Sequence, residues 1–149
     1  MIIKTKSFFF TILLSTLLFS ACKNSMSRES NSLYKVLLSE RTRGTNRLFT
    51  ITSKEIQTSL NGNSIKSEIT KNQNLEIKKL VENISLETIS KLESPSTKRF
   101  SDGALSTTIT IIKNDKEYKS SDFDSGNPPA ELKSLYDEIQ KLTATKKSK

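Results

Sequence analysis

The first 21 residues limit what the rest of the chain can fold into. Lys4 and Lys6 precede a largely apolar, uncharged run over residues 8–19, and the small residues Ser20 and Ala21 follow it, directly before Cys22. A basic start, an apolar middle and a small-residue end are the layout of an export signal. The run is about a dozen residues, short of the roughly twenty needed to cross the hydrocarbon layer as a helix, so the segment reads as one that is removed. Cleavage before Cys22 leaves 128 of the 149 residues, enough for a single domain. Hydrophobic residues make up 34% of the whole chain, and many of them sit in the leader. The remainder is rich in Ser, Thr, Asn and Lys and has a thin core.

Leu17-Leu18-Phe19-Ser20-Ala21-Cys22 resembles the lipobox of bacterial lipoproteins. The resemblance implies diacylglycerol on Cys22, cleavage before it and fatty-acyl chains such as palmitate on the product. Phe19 departs from the aliphatic residue usual three places before the cysteine. It fits ordinary signal cleavage after Ala21 less well, since that reaction wants a small residue there. Cys22 is also the chain's single cysteine, and an exported protein normally avoids an odd exposed thiol. The expected layout is a signal peptide over residues 1–21, a polar tether over 22–31, one domain over 32–143 and a basic tail over 144–149. In some Bacteroidota an acidic cluster beside the lipidated cysteine resembles a surface-export signal, and no dense acidic cluster follows Cys22; the resemblance therefore implies the cell envelope, lipid-anchored, on the periplasm-facing side of the outer membrane.

Within the domain, residues 33–38 and 48–52 are strand-like, with Phe49 and Ile51 on one face. Asn61-Gly62 separates two further strands, and Asn-Gly is a strong hairpin signal because both residues tolerate positive φ. Leu75, Ile77, Leu80, Val81 and Ile84 fall near helical spacing, and a shorter helical piece follows over 86–92 before Pro95. Residues 105–112 alternate as a strand, Asn114-Asp115 turns the chain, and 117–120 returns. Leu132, Leu135, Tyr136, Ile139 and Leu142 then form an i, i+3, i+4, i+7 stripe, for which Asn127 is the expected cap and Pro128 the expected first residue. Strands, helix, strands and helix in that order predict an α+β fold: an antiparallel sheet of about six strands built from hairpins, with a central and a C-terminal helix packed on one face.

The segment from Asp102-Gly103 through Thr108-Ile109-Thr110-Ile111, Asp115-Lys116-Glu117-Tyr118 and Phe123-Asp124 to Pro128-Pro129-Ala130-Glu131-Leu132 resembles uncharacterised lipoproteins of Bacteroidota. More distantly, a strand, a turn, a second strand and Pro-x-x-Leu-x-x-Leu opening a terminal helix is similar to the emfourin family of small metalloprotease inhibitors. That likeness spans roughly the last third of the chain. It implies inhibition of a protease, although residues 39–44 carry arginines where those inhibitors have a glycine-rich strand, and a shared fold does not carry function by itself.

The chain has no histidine, so histidine-based triads and imidazole metal sites are absent. Gly44, Gly62, Gly103 and Gly126 are scattered singly, which leaves no phosphate-cradling loop. Asp122 to Asn127 has its glycine one place early for a calcium loop and lacks the closing glutamate. No metal, cofactor, small-molecule substrate or catalytic residue is predicted. The net charge is +8, and removing Lys4 and Lys6, with no acid before Cys22, leaves +6. Much of that lies in the tail, a solvated end, and no nucleic-acid motif surrounds the rest. Arg41, Arg43 and Arg47 are the best surface candidates for recognising an acidic partner; the same residues also suit a merely solvated hairpin loop. The expectation is a non-enzymatic, membrane-tethered protein-binding domain, with an accessory role in an envelope complex as the alternative.

Overall fold

The computed structural model describes residues 34–144. The leader, Cys22, the tether and the residues after Ala144 lie outside the described residues. Strands β1 (Tyr34–Arg41), β2 (Asn46–Thr52), β3 (Glu55–Leu60) and β4 (Asn63–Glu68) form a meander, followed by helix α1 (Lys71–Glu82). Two 3-10 turns, Leu86–Lys91 and Lys98–Ser101, lead to β5 (Ser106–Lys113), β6 (Lys116–Lys119), β7 (Phe123–Asp124) and helix α2 (Ala130–Ala144). All strand pairs are antiparallel, in the order β4-β3-β2-β1-β5-β6, with β7 also on β5. This is the expected α+β architecture.

Period-two alternation decides what the sheet buries. Val36 and Leu38 on β1, Phe49 and Ile51 on β2, Ile56 on β3 and Ile109 and Ile111 on β5 all face the helices and are buried. Ile77 and Val81 from α1, and Leu132, Leu135, Tyr136, Ile139 and Leu142 from α2, meet them in one core. Burying a Val, Leu or Ile side chain fully contributes about 1.5–3 kcal/mol, so these residues, rather than the polar outer face, hold the sheet.

The turns follow from residue chemistry. Asn61 and Gly62 both take positive φ, 50° and 91°, and Asn114 and Asp115 do likewise at 52° and 61°, matching the right-handed twist of the flanking strands. Helix α1 starts earlier than its apolar stripe because Thr70 and Gln73 form a reciprocal capping box. Leu75 is 45% exposed; it lies two residues, about 200°, from Ile77 and so leaves the buried face.

Three features depart from the sequence reading. The chain leaves the β5 ladder after Lys119 and rejoins it as β7, which pairs with Ser106 and Thr107. Helix α2 begins at Ala130, beyond Pro128, where Leu132 N–H donates to Pro129 O at 3.0 Å. The Asn127 amide, expected to cap that helix, instead donates to Ser96 Oγ at 2.7 Å. Among the described residues no helix is long and apolar enough to cross a membrane.

Candidate functional site

The three arginines singled out above do not share a surface. In the β1–β2 register Glu40 faces Arg47 and Arg41 faces Asn46, so alternation puts Arg41 on the open face of the sheet and Arg47 on the helix face. Arg47 Nη1 stands 3.6 Å from Glu40 Oε2. Arg43 is exposed in the 42–45 connection, which Thr42 N–H closes onto Thr45 O at 2.8 Å. Arg47 departs from the hairpin-loop expectation because it is a strand residue subject to the period of two.

Glu40 is 1% exposed. Its Oε1 accepts from Ser125 Oγ at 2.9 Å, Gln140 Nε2 at 2.8 Å and Tyr136 OH at 3.3 Å. Tyr136 OH also accepts from Gly126 N–H at 2.8 Å, and its ring meets Phe123 edge-on at 5.8 Å. A buried carboxylate is tolerated only when its lone pairs are filled. These contacts tie α2 to the central strand and leave Glu40 no access to a substrate.

On the opposite face, Leu37, Ser39 and Arg41 from β1 join Ser106, Thr108 and Thr110 from β5 around an open concavity of about 340 Å³. Lys119 and Asp122 line it as well. Asp122 Oδ2 there accepts from Ser106 Oγ at 3.2 Å. The lining mixes hydroxyl, charged and aliphatic side chains, without an aromatic platform.

The second buried acid organises the segment 94–103. Asp124 sits at the end of β7 and is 1% exposed. Its Oδ2 accepts from Ser96 Oγ at 2.6 Å and Lys98 N–H at 2.7 Å, while Oδ1 accepts from Arg99 N–H at 3.0 Å and Arg99 Nη1 at 3.1 Å. Burial by itself would raise this carboxyl's pKa; the bonds from Ser96, Arg99 and Lys98 outweigh it and hold the group well below the usual carboxylate range. Arg99 Nη1 also donates to Ser96 O at 2.6 Å and Ser94 Oγ at 3.1 Å. One carboxylate thus fixes the backbone and side chains of a connection that has little regular structure of its own.

That connection displays Phe100, 78% exposed, with the Arg99 guanidinium 4.3 Å from its ring centroid. A scattered exposed apolar residue is ordinary. Phe100 differs because the backbone just before it is held by Asp124 at Lys98 and Arg99, so the segment that carries it has little backbone freedom left to lose on binding. In the sequence this connection is marked by the density of Ser, Thr and Arg around one phenylalanine.

No family model matches the chain, and neither do any curated proteins or solved structures.

Proposed function

We propose that this chain is a lipid-anchored protein of the cell envelope whose domain binds a protein partner without turning over a substrate, and that Phe100 is its anchor residue. The observation that carries the reading is the fixed presentation of Phe100 on a segment pinned by Asp124. Large aromatic and arginine side chains dominate binding energy at protein interfaces, and Phe100 and Arg99 stand together here. The two most buried acids among the described residues, Glu40 and Asp124, are occupied by internal donors, which suits scaffolding rather than acid–base chemistry.

The leader and Cys22 supply the tether in this proposal, placing the domain on the periplasm-facing side of the outer membrane. The resemblance to emfourin-like inhibitors makes a metalloprotease the first partner class to try. A second reading, an accessory role in an envelope complex, is favoured by the exposed Ile65 and Leu60 at the β4 end of the sheet.

A photo-crosslinking residue introduced at Phe100, expressed in the native host, tests the proposal against the same residue at exposed Lys79. The expected result is one discrete protein adduct at position 100 that is missing at 79. Identical adduct patterns at both positions, or none at either, reject the partner-binding reading.

A further inference from the structure

Arg99 makes all of its side-chain hydrogen bonds through one nitrogen. Nη1 donates to Asp124 Oδ1 at 3.1 Å, Ser96 O at 2.6 Å and Ser94 Oγ at 3.1 Å. The side chain is 10% exposed, and its Nε is enclosed without an acceptor among the described residues. Nη2 has no acceptor there either. A guanidinium is a planar fork whose Nε–H and Nη2–H run parallel along one edge, at the spacing of the two oxygens of a carboxylate. The Nη1 side is filled from within the chain, and that edge is not. A lysine ammonium could meet the acceptors now on Nη1 and would orphan no donor; what arginine adds is the second edge. A buried donor without an acceptor is rare in folded proteins and calls for a reason.

The surroundings of that edge point outward. The Phe100 ring lies over the guanidinium, 4.3 Å from its Cζ, and is itself 78% exposed. A partner that draws the ring into its own surface therefore removes part of the cover on Arg99. Lys98 is exposed and pairs with no acid among the described residues, and Asp102, two residues past Phe100, pairs with neither Lys98 nor Arg99. Within the described residues, Asp124 is thus the one carboxylate in ion-pair reach of these two cations.

We infer that the protein which covers Phe100 carries an Asp or Glu carboxylate that binds Arg99 side-on, one oxygen on Nε–H and the other on Nη2–H. This rests on the partner-binding reading of Phe100 and gives the partner a chemical signature: an acid beside the apolar surface that receives the ring. Burial of the ring supplies contact area, and the acid supplies orientation, because two parallel bonds fix the plane of the carboxylate against the guanidinium. Taking the ring and supplying the acceptor happen in one event, so the orphaned Nε–H is satisfied in the complex. Asp124 keeps its bonds to Nη1 and to the Lys98 and Arg99 N–H groups throughout, and the edge is presented from a fixed backbone.

The test keeps Phe100 and places a photo-crosslinking residue at the exposed position of Ser101, in the full chain in native-host membranes. The partner peptide in the adduct is sequenced by mass spectrometry, and each Asp or Glu in it is replaced in turn by Asn or Gln. Arg99→Lys keeps the charge and a donor for Asp124 but has no second edge. It is expected to cut the adduct yield about tenfold, and one of the partner's amide replacements to cut it by the same factor. The two together should cut it no further than either alone, because they remove one shared interaction. The double variant is decisive even if Arg99→Lys loosens the segment, since a loosened segment lowers the yield equally with and without the partner's acid. An Arg99→Lys effect that persists undiminished in the amide background would overturn the inference. So would a yield that Arg99→Lys leaves unchanged, or a partner peptide in which no acid matters. Each of these outcomes leaves the partner-binding reading standing; an adduct to lipid alone, or no adduct at position 101, overturns both.

Discussion

Asp124→Asn separates a pinned connection from a merely crowded one. The carboxylate receives two bonds at each oxygen, whereas an amide offers one accepting oxygen and one donating nitrogen. Arg99 presents only donors at Oδ1, so the amide oxygen belongs there. The amide nitrogen then sits where Oδ2 was, facing Ser96 Oγ and Lys98 N–H. The Ser96 hydroxyl can reverse and accept; Lys98 N–H cannot, and is left without its 2.7 Å partner. A hydrogen bond to a charged acceptor is worth enough that its loss speeds local opening roughly ten- to a hundredfold. The expected outcome is amide hydrogen exchange accelerated by that factor at Lys98, with a smaller change at Arg99 and almost none at Ile109 in the core. Unchanged exchange at Lys98 would refute the claim that Asp124 holds this segment. The same bonds predict a pH dependence. The folded carboxyl titrates below its ordinary value of 3.8, so its stabilisation is complete above that pH and is lost progressively as pH falls below it. Asp124→Asn flattens this acid limb in thermal melts.

Glu40→Ala strands Gln140, Ser125 and the Tyr136 hydroxyl and opens a cavity, for an expected cost of about 3 kcal/mol, or roughly 12 °C in Tm at about 4 °C per kcal/mol. Glu40→Gln keeps an acceptor in place and should lose about a third of that, so equal melting of the two variants would contradict the network. Tyr34 donates to Asn74 O at 3.0 Å, and burial pushes its hydroxyl up to about 12 from 10.0. Its stabilisation is therefore full below pH 10 and disappears as pH rises towards 12; Tyr34→Phe should remove that alkaline step from a denaturation profile. Intact mass of the protein extracted from native membranes should show a lipid-sized increment on a chain starting at Cys22 that is missing in Cys22→Ser.

The fold was legible because its apolar pattern is clean. Phe49 and Ile51 alternate, Asn61-Gly62 marks a tight turn, and Leu132 to Leu142 traces one helical stripe. The same patterns held more than was read from them. Continuing the period of two from Val36 and Leu38 lands on Glu40, and running it back from Ile51 and Phe49 lands on Arg47, so both charges were already assigned to the helix face. A glutamate there contradicts the usual exposure of acids until Tyr136 and Gln140, one turn apart on α2, are known to meet it. β7 has two residues, too few for periodicity to register. Asp124 and its partners at 94–99 are separated by a whole hairpin, and nothing local in the sequence announces a contact of that range. Phe100 could not be told from a core phenylalanine, because side-chain hydrophobicity gives no sign of which face a loop residue takes.

Accessibility beside Phe100 in the native envelope tests the central claim most directly. Cys22 is the only cysteine and is consumed by lipid in this account, so Ser101→Cys, at an exposed position next to Phe100, introduces a single free thiol and leaves the ring in place. Its rate of labelling by a soluble maleimide would be compared in intact native membranes and in the purified protein. The account predicts strong protection in membranes and rapid labelling after purification, loss of that protection when Phe100→Ala is added, and an exposed control, Lys79→Cys, labelled alike in both. Equal labelling of position 101 in the two preparations would mean that nothing covers the Phe100 surface in its native setting, and would contradict the claim that Phe100 anchors a partner.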